Sequence, residues 1–258
     1  MASANMIARI GWISCRVLST LPQMDENANH LGQPLGFAVA DWSERARPPR
    51  TAMRGRFCRV ESLDPERHAA DLYAANSEDK EGRMWSYLAY GPFSKFEDYL
   101  AKMNESWLKE DWHIHAIIDE RSGLASGLAS YMRIEPEAGS IEVGAIMYSP
   151  RLQRTRAGTE AMYLMMKRVF DELGYRRYEW RCSSLNEASA KAAKRLGFQF
   201  EGIFRQTFVI KGRNRDTAWF SIIDREWPQN KEALEAWLAP ENFDVKGQQR
   251  QSLTQLRS

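Results

Sequence analysis

The stretch "SIEVGAIMYSPRLQRTRAGTEAMYLMMKRVFDELG" (residues 140–174) decides the fold. Its opening residues alternate with a period of two and read as a strand. A polar loop carrying Arg151, Arg154 and Arg156 comes next. Met162, Leu164, Met165, Val169, Phe170 and Leu173 then fall at helical spacing, and Gly174 closes the helix. "RRYEWRCSS" (176–184) returns to strand character. A strand, a helix and a second strand in this order predict a right-handed crossover with locally parallel pairing.

Upstream, "WHIHAIID" (112–119) and "LASGLASYMRIE" (124–135) are two further strands, joined through the turns "ERSG" and "PEAG" into an antiparallel meander with strand 140–148. Before them, "RGRFCRVESL" (54–63) reads as a strand. "DPERHAADLYAAN" (64–76) reads as a helix with Asp64 as cap and Pro65 in the first position, and "SKFEDYLAKMNESWLKE" (94–110) as a helix capped by Ser94. Downstream, "NEASAKAAKRLGF" (186–198) is a helix capped by Asn186 and ended by Gly197. A hairpin follows around "KGRNR" (211–215), then a short helix, "NKEALEAWL" (230–238). The pattern defines one mixed α/β (α+β) domain over residues 54–240. Residues 1–23, with two arginines and no acid, read as an upstream or targeting-like segment outside the fold. Residues 24–53 read as an arm packed on the domain through Leu35, Phe37, Val39 and Trp42, and residues 241–258 as a disordered tail.

Composition narrows the function classes. A formal charge of +2 does not mark a nucleic-acid binder, and no stretch approaches the roughly 18 apolar residues of a membrane span. Cys15, Cys58 and Cys182 are too sparse for a disulfide framework and fit a reducing, cytoplasmic compartment. His113 and His115 share a strand face but lack a third ligand at a metal-binding spacing, so packing against an aromatic ring or facing solvent is expected. The chain has no GxxxxGK[ST], no GxGxxG after a first strand and no GxSxG, which removes Walker-type, dinucleotide and hydrolase-elbow readings.

That leaves the loop before the helix at 156–158. A helix start offers unpaired N–H groups and a positive dipole end, which together suit a phosphate. Arg151, Arg154 and Arg156 add charge, and Gly158 permits close approach; an ordinary strand-to-helix turn is equally compatible with the residues.

From Ser140 to Phe198 the sequence resembles the GCN5-related N-acetyltransferase superfamily, in particular its ribosomal-protein-acetyltransferase-like branch. Gln153, Arg156 and Gly158 stand at the positions of the Q/R-x-x-G-x-G/A pattern, followed by Thr159-Glu160-Ala161. Asn186 and Ser189 match an N-x-x-S helix start, and Leu196-Gly197-Phe198 an LGF helix end. The resemblance extends over residues 54–225. It implies a mostly antiparallel sheet with splayed middle strands and helices on both faces. It further implies an enzyme that moves an acetyl group from acetyl-CoA directly to a primary amine, on a small molecule or a protein N-terminus. The cofactor-binding residues would then be Gln153, Arg154, Thr155, Arg156, Ala157, Gly158 and Thr159, with Asn186 orienting the acetyl or pantetheine arm. A backbone N–H near Ala145–Met147 would hold the oxyanion.

Glu142, set opposite Ile141 and Val143 by strand alternation, is the expected base; an exposed glutamate near a strand end is its alternative. Ser189 is the candidate proton donor to the leaving thiol, since relatives' tyrosine is replaced by Ala193. Arg156 replaces the motif's first glycine. Its side chain either obstructs the phosphate turn or swings out to pair with a phosphate, and its basic neighbours favour the second. The resemblance places Trp85, Tyr87, Tyr90 and Phe93 on the acceptor side, with packing in the core as the alternative. The rival readings are a catalytically inactive CoA- or ligand-binding domain of the same fold and, on an excess of four basic residues between 151 and 181, a nucleic-acid binder. No nucleic-acid or membrane partner is expected, and a homodimer is left open.

Overall fold

A computed structural model of the chain describes residues 27–108 and 112–257, so residues 1–23, read above as targeting-like, lie outside the described residues. The chain divides into two compact units, one ending at Trp42 and one running from Ser43. In the first, the Asn29 side chain accepts the amides of Leu31 and Gln33 and an Ala28–Pro34 bridge closes a small turn. Leu35, Phe37 and Val39, anchors on the sequence reading, are exposed.

The second unit is a single eight-stranded sheet. Its elements are β1 (Met53–Arg54), β2 (Cys58–Ser62), α1 (Pro65–Asn76), α2 (Phe96–Lys102), β3 (His113–Asp119), β4 (Ala125–Glu135), β5 (Ser140–Tyr148), α3 (Arg156–Lys167), β6 (Arg177–Ser183), α4 (Glu187–Leu196), β7 (Gln199–Ile210), β8 (Arg213–Ile223), α5 (Trp227–Leu238) and α6 (Leu253–Arg257). Strand order is β1-β2-β3-β4-β5-β6-β8-β7. Every pairing is antiparallel except β5 with β6, the parallel pair that the strand–helix–strand pattern requires. Alternation along the strands sorts the apolar side chains into two layers. Ile141, Val143, Tyr178 and Phe220 pack with α3 and α5 on one face; Ile114, Ala116 and Leu128 pack with α1 and α2 on the other.

Most local signals act as read. Asp64 accepts the amide of Glu66 and starts α1; Asn186 accepts that of Ser189 and starts α4; Gly197, at φ 105°, ends α4. His115 is buried edge-on to Tyr131, and burial first of all, with the charges of His113 and Arg168, pushes its pKa down to about 3, so the ring is neutral.

Three expectations are corrected. Ser94 does not cap α2: the helix begins at Phe96 after Lys95, and Glu97 and Asp98 supply the favourable negative charge in its first turn. The strand at 54–63 is broken, because the Glu160 carboxylate draws the chain into a loop by accepting the amides of Arg56 (2.9 Å), Phe57 (2.6 Å) and Cys58 (2.8 Å). Nor does the C-terminal tail lack structure. Asn242 bonds the backbone of Trp237 and Gln251, Asp244 accepts the amides of Lys246 and Gln248, and α6 buries Leu253 in the core. A polar composition hid these turns, because two side chains do the work of a backbone ladder.

Candidate active site

The parallel ladder runs only from Ser140↔Arg177 to Val143↔Trp180, although β5 continues to Tyr148 and β6 to Ser183. Beyond Val143 the two strands part, and a cleft opens between them. A bulge in β5 contributes to the parting: Gly144 is registered with Ser130 and Met147 with Leu128, so Ala145 and Ile146 face one β4 residue. Ala145 takes φ 47° to make this bend. The Ala145–Met147 backbone therefore lies where no β6 residue is registered against it, which is the position the sequence reading gave to the oxyanion amides.

The loop after β5 is held rigidly. Ser149 donates to the Ser126 carbonyl (2.5 Å), Gln153 Nε2 to the Tyr148 carbonyl (2.8 Å), and Leu152 is buried. Arg154 adopts φ 60°, after which Thr155 caps α3, accepting the Gly158 amide at 3.0 Å and donating to the Leu152 carbonyl at 2.7 Å. The cap engages Gly158, so the first-turn amides of Arg156 and Ala157 remain without an intrahelical acceptor. That is the donor set an anion needs at a helix start.

Two residues of this loop work differently from the sequence reading. Gly158 makes room for the chain itself. A Cβ there would lie 2.8 Å from the Leu152 carbonyl oxygen and 3.0 Å from the Tyr148 ring, so the glycine lets α3 pack on its own loop. Arg156 neither blocks the turn nor reaches for a phosphate: its guanidinium lies between the rings of Phe57 (4.7 Å) and Phe243 (4.6 Å). Arg151, exposed like Arg154, is also engaged, bonding Glu78 at 2.7 Å. Ala157 is buried in the core, and Thr159 Oγ1 accepts a bond from Arg195 at 3.2 Å.

On the opposite face of the sheet from α3 lies Glu142. It is buried, not the exposed strand-end glutamate of the alternative reading, and its carboxylate contacts Arg133 (2.8 Å) and Arg181 (2.9 Å). Burial raises its pKa; the two arginines oppose that shift without cancelling it, and Glu179 adds to it. Gly144 gives the carboxylate its space, since a Cβ there would fall 2.8 Å from Glu142 Oε1.

Ser189, on the first turn of α4, accepts a hydrogen bond from Trp180 Nε1 (2.9 Å), which ties the helix to β6 at the cleft. Ala193 is fully buried in the core. Glu142 and Asn186–Ser189 thus stand on the elements bordering the cleft, with the 153–159 loop following β5 at its end.

Sequence reasoning missed the arginines Arg133 and Arg181 around Glu142, and the contacts of the aromatic segment. Tyr87 donates to the Leu185 carbonyl (2.9 Å), and Lys211, in the β7–β8 turn, donates to the carbonyls of Trp85 (3.1 Å) and Gly91 (2.8 Å). The alternation of Arg177, Glu179 and Arg181 in β6 was the available signal for a charged sheet face. Nothing local marks Lys211.

A sheet whose central parallel pair splays beside a bulge, with a capped helix start at its end, defines an acyl-CoA-dependent transferase fold. Residues 59–199 match the model of the acetyltransferase (GNAT) domain family. The chain belongs to that family. A GCN5-related N-acetyltransferase structure from Brucella melitensis is 46% identical, with a TM-score of 0.80 over 85% of this chain and 99% of that one. A probable acetyltransferase of the GNAT family from Chromobacterium violaceum is 40% identical, with a TM-score of 0.70 over 76% of this chain and 97% of that one. An uncharacterized N-acetyltransferase p20 from Bacillus licheniformis is 27% identical over 144 residues, 55% of this chain and 80% of that protein.

Proposed function

We propose that the protein is an N-acetyltransferase that moves an acetyl group from acetyl-CoA directly to a primary amine. The observation that carries this reading is the buried carboxylate of Glu142 beside the cleft between β5 and β6. Acetyl-CoA supplies an activated acetyl thioester. The amides of Arg156 and Ala157, with exposed Arg154, suit its pyrophosphate, and Gln153 and Thr155 fix the loop that presents them. Glu142 accepts the proton that the amine must lose as the C–N bond forms at the carbonyl carbon. A backbone amide of Ala145–Met147 holds the carbonyl oxygen while the charge develops there. When the C–S bond breaks, the departing thiolate takes a proton through Ser189, which bonds Trp180 and Cys182 and is reprotonated from solvent, while Glu142 returns the amine's proton to solvent.

The acceptor is a small-molecule amine or a protein N-terminus, the latter being what the ribosomal-protein branch would imply; action in the cytoplasm is part of the same reading. The position of Arg156, clear of the helix start, weakens the case for a CoA-binding domain without activity. A nucleic-acid role is disfavoured by the pairing of the basic run: Arg151, Lys167, Arg168, Arg177 and Arg181 each contact a carboxylate.

The test is calorimetric titration of acetyl-CoA, with CoA and ATP as controls, followed by CoA-thiol release in the presence of amines. Binding of acetyl-CoA and CoA but not ATP, with amine-dependent release, is expected. Binding without release from any amine returns the inactive reading, and failure of both CoA forms to bind removes the cofactor site.

A further inference from the structure

Six charged side chains cross the sheet face that holds Glu142. Arg133 contacts Glu142 (2.8 Å), Glu142 contacts Arg181 (2.9 Å), Arg181 contacts Glu179 (2.5 Å), Glu179 contacts Arg177 (2.7 Å), and Arg177 contacts Glu201 (2.5 Å). Three guanidinium groups and three carboxylates compensate one another. A further guanidinium on this face stands outside the ladder. Register pairs Arg181 with Trp219 and Ser183 with Thr217, so Thr217 and Trp219 share the face of Arg181, and Arg215, two residues before Thr217, shares it too.

Arg215 is half-buried with its guanidinium over the Phe208 ring (5.7 Å), and among the described residues no carboxylate lies within ion-pairing distance of it. Its Nε is buried without an acceptor, as are Thr217 Oγ1, Trp219 Nε1 and, on β4, Ser130 Oγ. Every one of these groups can donate a hydrogen bond. A buried donor without an acceptor costs free energy, and a cation without a counter-charge costs more, so the face is complementary to an anionic ligand rich in acceptors. Burial holds Arg215 below its ordinary pKa; Cys182 and Glu142 oppose this, and Arg133 adds to it. The pyrophosphate of the cofactor does not meet this demand, because α3 packs against the other face of the sheet.

We propose that the acceptor amine carries an anionic group, a carboxylate or a phosphate, and that Arg215 receives it while Glu142 faces the amine. The proposal rests on the acetyltransferase reading and deepens it to a substrate class. Guanidinium matches both oxyanions in geometry, so the experiment separates them.

At saturating acetyl-CoA, thiol release is measured for matched amines: serine against ethanolamine, O-phosphoethanolamine against ethanolamine, phenylalanine against phenethylamine, with spermidine as a polycation. The acid-bearing member of at least one pair should exceed its partner in kcat/KM by roughly tenfold, the worth of one charge-assisted pair. The favoured pair tells carboxylate from phosphate. Arg215→Met should abolish the preference through KM for the acid-bearing amine alone, and Arg215→Lys should retain part of it. Unchanged acetyl-CoA affinity certifies that both variants fold. Preference for neutral amines or spermidine, an Arg215→Met effect equal on both members of a pair, or acetyl-CoA binding with no turnover of any acid-bearing amine overturns the proposal. Absence of acetyl-CoA binding removes the acetyltransferase reading itself.

Discussion

The guanidinium of Arg156 lies 4.6 Å from the ring centroid of Phe243, with Phe57 on its other side at 4.7 Å. The residue that departs from the family's glycine thereby joins α3 to the β1–β2 loop and to the C-terminal segment. Arg156→Gly should therefore leave acetyl-CoA affinity within about twofold. Stability should drop by about 1–2 kcal/mol, from loss of the cation–π contacts and the helix propensity of glycine. Thermal unfolding and calorimetry read the two effects separately. A tenfold gain in affinity on restoring the glycine would mean that the side chain obstructs the site after all.

Gly158→Ala tests the packing of the same loop. Its Cβ would press on the Leu152 carbonyl oxygen at 2.8 Å, a backbone atom that cannot rotate away. The loop must shift, and the Thr155 cap with it. We expect a loss of about 1–3 kcal/mol in stability and at least tenfold weaker acetyl-CoA binding. Wild-type affinity and stability together would show that the contact relaxes without moving the cap.

The strands, the meander and the parallel pair were legible because each rests on local signals: period-two strands, the helix caps Asp64 and Asn186, and the crossover through α3; the splayed middle strands came only with the family resemblance. The charge of the site was less legible. Alternation placed Glu142 opposite Ile141 and Val143, but its charge partners are Arg133, across the β4–β5 turn, and Arg181, across a parallel crossover. Glu160 shows the same limit from the other side. In the sequence it is one letter of a helix motif; in the fold it collects three amides from residues more than a hundred positions earlier. Pattern reports what a residue's neighbours in the chain require, and these partners are not neighbours in the chain.

Glu160→Ala should accordingly be a stability variant. It strips a buried acceptor from three N–H groups, each worth about 1.5–3 kcal/mol when its partner is charged. Partial rescue by water at the loop edge reduces the sum, and a loss of about 3 kcal/mol in urea unfolding is expected, with Glu160→Gln intermediate. A change below about 1 kcal/mol would show that the loop finds other acceptors.

The pKa of Glu142 predicts opposite pH trends for activity and stability. Burial raises it above the ordinary carboxylate value, so the ionised base, and turnover with it, should be lost on acidification at a pH above the usual carboxylate range. The native state also retains this proton longer than the unfolded chain. Its contribution to stability is thus complete below the unfolded pKa and lost as pH rises through the folded one. Glu142→Gln should lower kcat by about a hundredfold with little change in acetyl-CoA KM, and should abolish that acidic limb. At neutral pH it should unfold no earlier than wild type, and the two should converge in acid. An unchanged pH–rate profile would take the base role from Glu142.

Lys211 holds the aromatic segment to the β7–β8 turn through the carbonyls of Trp85 and Gly91, and Tyr87 holds it to the loop before α4 through Leu185. Both anchors border the part of the sheet that carries Arg215. Lys211→Met keeps the length of the side chain and removes its three donors. Each lost bond is worth about 1 kcal/mol at an exposed position, so the segment should open more often while the core stays intact. Amide exchange should rise several-fold across residues 84–93 and remain unchanged in β5 and β6. If that segment closes over the acceptor, KM for the amine rises and KM for acetyl-CoA does not. Equal changes in both constants would instead make the latch part of the general scaffold.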